Sequence, residues 1–129
     1  MNMPRANYSS GAEWEQIVGY SRAVRVGNLI EVSGTTAVDE QGQVVSPGNA
    51  YEQAYHILNT IEAVLGNFGA SMQHVVRTRI YVTDIREWEA VGRAHRAFFN
   101  DIKPAATMVQ VSALIDPAMV VEMEVTAMI

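Results

Sequence analysis

The chain has 129 residues, the length of one domain, and 49% of them are hydrophobic against only 18% charged. The absence of cysteine excludes a disulfide framework, a thiolate nucleophile and cysteine-ligated zinc. With 9 basic residues against 14 acidic ones the net charge is −5, which offers no basic face to nucleic acid and no polybasic membrane anchor.

The N-terminus is polar, without the charged start and apolar run of a signal peptide, and no stretch approaches the roughly 18 apolar residues of a membrane span. A cytoplasmic protein with neither a membrane nor a nucleic-acid partner is expected. A single domain over residues 1–129 is expected, with residues 1–17 as an N-terminal arm in which Met1–Glu13 is loose or an added strand. Val18–Val26 alternates loosely, and Leu29–Thr35 is a firmer strand entered through Gly27-Asn28. Asp39–Gln43 is a turn, after which Val44-Val45 returns as a short strand. Asn49 and Glu52 form a capping-box pattern that opens a helix to about Asn67, with Ala54, Leu58, Ile61, Leu65 and Phe68 on its apolar stripe. Val75–Thr83 is rich in β-branched residues and reads as a strand. Asp84 and Glu87 open a second helix to about Asn100, with Trp88, Val91, His95 and Phe98 on one stripe. Ala106–Leu114 and Val120–Met128 are the final strands.

Two helices and five or six strands predict an α+β fold, a mixed sheet with both helices packed on one face. Strand parity describes the other face. Val76, Thr78, Ile80 and Val82 share one side of their strand, and Arg77, Arg79, Tyr81 and Thr83 the opposite one. In the last strand Val121, Met123, Val125 and Ala127 oppose Val120, Glu122, Glu124, Thr126 and Met128. A face that mixes arginine, glutamate, tyrosine, valine and methionine fits a subunit interface or a pocket better than open solvent.

Several segments together resemble the Rid family, the reactive intermediate deaminases, also called the YjgF or L-PSP family. These are Gly19-Tyr20-Ser21-Arg22-Ala23, Gly27-Asn28-Leu29-Ile30, Val32-Ser33-Gly34, Leu58-Asn59-Thr60-Ile61, Val75-Val76-Arg77-Thr78, Tyr81-Val82-Thr83-Asp84, Ala97-Phe98-Phe99, Pro104-Ala105 and the run Val121–Ala127. The resemblance covers residues 18–128 and implies a chorismate-mutase-like homotrimer with a cleft at each subunit interface. It also implies cofactor-free hydrolysis of enamines and imines to keto acids and ammonia. By the same resemblance Glu122 positions or activates water, Tyr20 packs on a small-molecule substrate, and Gly34 is the strand-end glycine. Thr107 and Met108 correspond to the backbone groups that complete the family's site.

The family's carboxylate-clamping arginine does not carry over, because its Pro-x-Arg-Ser segment here reads Pro104-Ala105-Ala106-Thr107. A helix-two asparagine of the deaminating members is replaced by Gly92. Each hydrogen bond to a charged group contributes about 1.5–3 kcal/mol, so a lost bidentate pair weakens binding roughly 10-fold to more than 100-fold. The chain thus resembles the arginine-lacking subfamilies. Arg79, on the face of Glu122, is a candidate replacement, with pairing to Glu31 or Glu124 as its other role. Arg93 is a weaker one.

Glu122 is either a general acid/base or a member of a cross-strand ion network. His95 is expected to be half-buried and hydrogen-bonded. His56 and His74 form no metal-binding spacing with it, so no metal site is expected. Two functions follow from different classes: a cofactor-free hydrolase acting on a C=N bond, and a non-catalytic trimer that binds a small metabolite in its clefts. The ribonuclease label that this family also carries is disfavoured by the net charge of −5.

Overall fold

Val121, Met123, Val125 and Ala127 are fully buried while Glu122, Glu124 and Thr126 between them are half-exposed, which makes β6 (Val121–Met128) a strand with one face in the core. The computed structural model describes residues 4–129. It places β6 inside a six-stranded mixed sheet with β1 (Arg5–Tyr8), β2 (Ala23–Val26), β3 (Leu29–Thr36), β4 (Val75–Val82) and β5 (Ala105–Gln110), in the order β1-β2-β3-β6-β4-β5. The β4–β5 pair is parallel and the other pairs are antiparallel. Helices α2 (Ala50–Gly66) and α3 (Trp88–Phe99) cover one face. Ile57, Leu58, Ile61, Leu65, Val91 and Phe99 meet Ile30, Ile80 and Met123 in the core, and neither α2 nor α3 covers the opposite face.

Asn49 caps α2 by accepting from the Glu52 amide at 3.0 Å, as its sequence position predicts. Gln53 and Thr78 are polar side chains sealed in this core. Gln53 donates to the carbonyls of Ser46 (3.1 Å) and Ala118 (2.8 Å) and accepts from the Val120 amide (2.9 Å). Its amide thereby ties the loop before β6 to the start of α2.

Four expectations are corrected. The arm over residues 1–17, of which residues 1–3 lie outside the described residues, holds β1, the added strand that the sequence offered as one reading, and also a short helix α1 (Glu13–Val18) that the sequence reading missed. Val18 therefore ends a helix and is 69% exposed, and β2 starts only at Ala23. The expected strand at Val44-Val45 is a lone bridge between Val38 and Val44. On α3, Trp88 is 56% exposed and Phe99 is buried, because Ile85–Glu87 is a 3-10 turn that shifts the helical phase. Finally, the β4–β6 register slips between Val75 and Arg77, so Val75 enters the core and Val76 is 47% exposed.

Candidate functional site

A second register slip builds the site. Between Val32 and Thr35 strand β3 holds one residue more than β6, a bulge at Ser33 and Gly34. Val32 and Thr35 both face the core as a result, despite their odd spacing. At this bulge a Cβ built on Gly34 would lie 3.1 Å from Glu122 Cδ and would overlap Glu122 Oε2. Only glycine leaves the Glu122 carboxylate its place.

Tyr20 and Arg22 are held against the same bulge. Gly19 closes α1 with φ +88°, a left-handed conformation that suits glycine, and turns the chain into Tyr20. The Ser33 amide donates to the Arg22 carbonyl (3.0 Å), the Ser33 hydroxyl to the Ser21 carbonyl (2.7 Å), and Arg22 Nη2 to the Gly34 carbonyl (2.5 Å). The Arg22 guanidinium carbon lies 5.7 Å from the centre of the Tyr20 ring, within cation–π range. Tyr20, Arg22, Gly34 and Glu122 thus form one cluster, and Arg22 is the member that sequence reasoning missed. Its only signal was its place two residues after Tyr20.

Burial pushes the Glu122 carboxyl above its ordinary value of 4.5, the Arg22 charge pulls it back down, and Glu124 adds to the rise. Among the described residues no donor reaches the Glu122 carboxylate. Glu124 differs: it accepts from the Tyr81 hydroxyl (2.8 Å) and pairs with Arg79 Nε at 3.9 Å. That hydrogen bond, with burial, raises the Tyr81 hydroxyl above its ordinary value. The cross-strand network therefore holds Glu124 and leaves Glu122 out. Arg79 also donates to Thr126 (3.3 Å), and Arg93 lies over the Tyr51 ring at 5.6 Å, so both sequence-named cations are engaged elsewhere.

Ala106 and Met108 are not brought to Glu122. Their register partners on β4 are Thr78 and Ile80, so they face the helix side, whereas Thr107 faces the open side and accepts from Arg77 at 2.7 Å. Two strands and three residues separate Ala106 from the Glu122 level, ~14 Å from strand spacing and rise. The side chain opposite Ala106, Thr78, is hydrogen-bonded to His95 Nε2 at 2.9 Å. Burial lowers the His95 pKa below 6.5, so the neutral imidazole is favoured, half-buried as expected. Two surface concavities flank these groups. One of about 660 Å³ lies against Tyr20, Ser21 and Ser33, and one of about 460 Å³ against His95, Phe99 and Pro104; neither includes Glu122. Among the described residues no three metal-binding side chains converge, and no helix is long and apolar enough to cross a membrane.

An α+β sheet with two helices on one face and a glycine-backed glutamate at a β-bulge defines the class. The family described as Endoribonuclease L-PSP matches residues 10–129, and the chain belongs to this family, the Rid or YjgF family of the sequence resemblance. A crystal structure of a YjgF-family member from Mycobacterium tuberculosis superposes with a TM-score of 0.88 at 45% identity, covering 98% of this chain and all of that one, 100%. It shares the chorismate-mutase-like fold that the family resemblance implies. An uncharacterised protein of Streptomyces coelicolor is 36% identical over 118 residues, 92% of this chain and 87% of the relative. The 3-aminoacrylate deaminase RutC of Acinetobacter baylyi is 33% identical over 103 residues, 80% of this chain and 81% of the relative.

Proposed function

We propose that this protein hydrolyses a reactive imine or enamine without a cofactor, with Glu122 as the proton-transferring group. One observation carries the reading: Glu122 is half-buried, unpaired and shifted toward its protonated form at a position where Gly34 alone leaves it room. A carboxyl poised in this way can take a proton from water and return it to nitrogen. An enamine reaches the same C=N stage by protonation at carbon; water adds to the carbon of the protonated C=N bond as the Glu122 carboxylate accepts its proton, giving a neutral carbinolamine. Glu122 returns that proton to nitrogen and, as the C–N bond breaks and ammonia leaves, takes the proton of the carbinolamine hydroxyl, so that a carbonyl forms. The deaminase name of the Acinetobacter relative supports this chemistry.

The working unit in this reading is a homotrimer. The separation of Ala106 and Met108 from Glu122 within one chain supports a cleft in which the β5 edge of one subunit meets the Glu122 cluster of another. The exposure of Ala105, Ala106 and Thr107 on that edge agrees with such a contact. A non-catalytic trimer that holds a small metabolite would use the same cluster without turnover, and the half-buried, unpaired Glu122 favours the hydrolase over it. The test generates 2-iminobutyrate with a dehydratase and follows release of 2-oxobutyrate, with 3-aminoacrylate as the second substrate. Release faster than buffer for either supports the hydrolase; release at the buffer rate for both, with retained binding of the keto acid, supports the binding trimer.

A further inference from the structure

We propose that Arg22 is the carboxylate-holding cation of this site, standing in for the arginine that position 106 lacks, and that the ligand carries its carboxylate one or two bonds from its C=N or enamine nitrogen. The inference rests on the cluster described above as the site of binding.

The state of Arg22 sets it apart from the other cations near the open sheet face. Arg79 is engaged by Glu124 and Thr126, and Arg77, which donates to the Thr107 hydroxyl, is not among the charges that act on Glu122. Arg22 has one protein acceptor, the Gly34 carbonyl, and its Nε is buried without any partner among the described residues. That Nε is sealed from solvent, so a ligand carboxylate would meet the terminal Nη1 and Nη2 groups of the guanidinium. Among the described residues, Arg22 is also the cation whose charge acts on Glu122. The two nevertheless form no ion pair within 4.0 Å; among the described residues such pairs join Arg79 to Glu124 and Arg86 to Asp84.

A positive and a negative group that influence each other across an unclosed gap match a ligand with the opposite polarity. Its carboxylate would meet the fork of Arg22 and its protonated nitrogen the Glu122 carboxylate. The Tyr20 ring beside the guanidinium supplies a flat wall for the short carbon skeleton between them. The second carboxylate acting on Arg22, Glu15, does not compete. It is buried, and its Oε2 accepts from the Ser10 amide (3.1 Å) and hydroxyl (2.5 Å). A single planar fork then accounts for two features at once: the loss of arginine at position 106 and the presence of arginine at position 22.

The experiment measures binding of 2-oxobutyrate and of its uncharged methyl ester to the intact assembly by calorimetry, for the wild type, Arg22→Met and Arg22→Lys. Arg22→Met is expected to weaken the acid by roughly 10- to 100-fold and the ester by less than about 2-fold. Arg22→Lys, which keeps the charge and loses the fork, is expected to fall between. Equal weakening of acid and ester, or an unchanged acid affinity, overturns the proposal and leaves Arg22 as a brace for the Gly34 carbonyl. If Arg22→Met does not fold, Arg22→Lys alone decides, since a brace predicts no acid-over-ester effect. Binding needs no turnover, so acid recognition through Arg22 without keto-acid release would remove the hydrolase and keep this inference. Turnover indifferent to Arg22 would do the reverse.

Discussion

Gly34 and Glu122 face each other across the β3–β6 bulge so closely that the Glu122 carboxylate occupies the space a Gly34 side chain would need. The colliding atom is the tip of a flexible side chain, so Gly34→Ala can be accommodated by rotating Glu122. The variant is expected to keep its stability within about 1 kcal/mol and to lose kcat/KM by roughly 10- to 100-fold through the displaced carboxylate. Thermal melts and keto-acid release, read side by side, check the split.

Glu122 also links stability to pH. Burial raises its folded-state pKa above 4.5, so folding favours the protonated form. The associated stability is full below about pH 4.5 and is lost as pH rises through the folded-state value. Glu122→Gln removes the buried charge. It is expected to melt a few degrees above the wild type near pH 7, with the gap closing toward about pH 4. Melts across that range test it, and a variant that melts lower at neutral pH contradicts it.

His95 gives the opposite sign. Burial lowers its folded-state pKa below 6.5, so its contribution is present above about pH 6.5 and is lost as pH falls through the folded-state value. His95→Gln keeps a polar group near Thr78 and removes the titration. Between about pH 7 and pH 5 the wild type is expected to lose more stability than the variant in denaturant unfolding.

Gln53 is a structural control away from the Glu122 cluster. Gln53→Leu leaves the Val120 amide without an acceptor and removes one of two donors from each of the Ser46 and Ala118 carbonyls, in a sealed environment. A loss of about 2–4 kcal/mol is expected, measured by urea unfolding at constant m-value.

Assembly has its own reading. Sedimentation is expected to give about three times the 14.2 kDa of the chain. A monomer at micromolar concentration would remove the shared cleft.

The sequence carried the alternation of β6 and most of β4, the Asn49 cap and the apolar stripe of α2, because each depends on residues close in the chain. It did not carry the two bulges. Inserting one residue at Gly34 or Val76 flips strand parity, and that slip is set by pairing with β6 far along the chain. Parity drew attention to Arg79, which is spent on Glu124, and away from Arg22, which reaches the site through the Gly34 bulge. Tyr20, Gly34 and Glu122 were named from the family resemblance and do come together. Ala106 and Met108 were named the same way and do not, since only contact between chains could join them to Glu122.

The most direct measurement is the rate of 2-oxobutyrate release from freshly generated 2-iminobutyrate by the wild type and by Glu122→Gln at one neutral pH. Wild-type release well above buffer, falling at least about 100-fold in a Glu122→Gln protein that still assembles and melts cooperatively, is the predicted result. Equal release by the two proteins would contradict the role of Glu122.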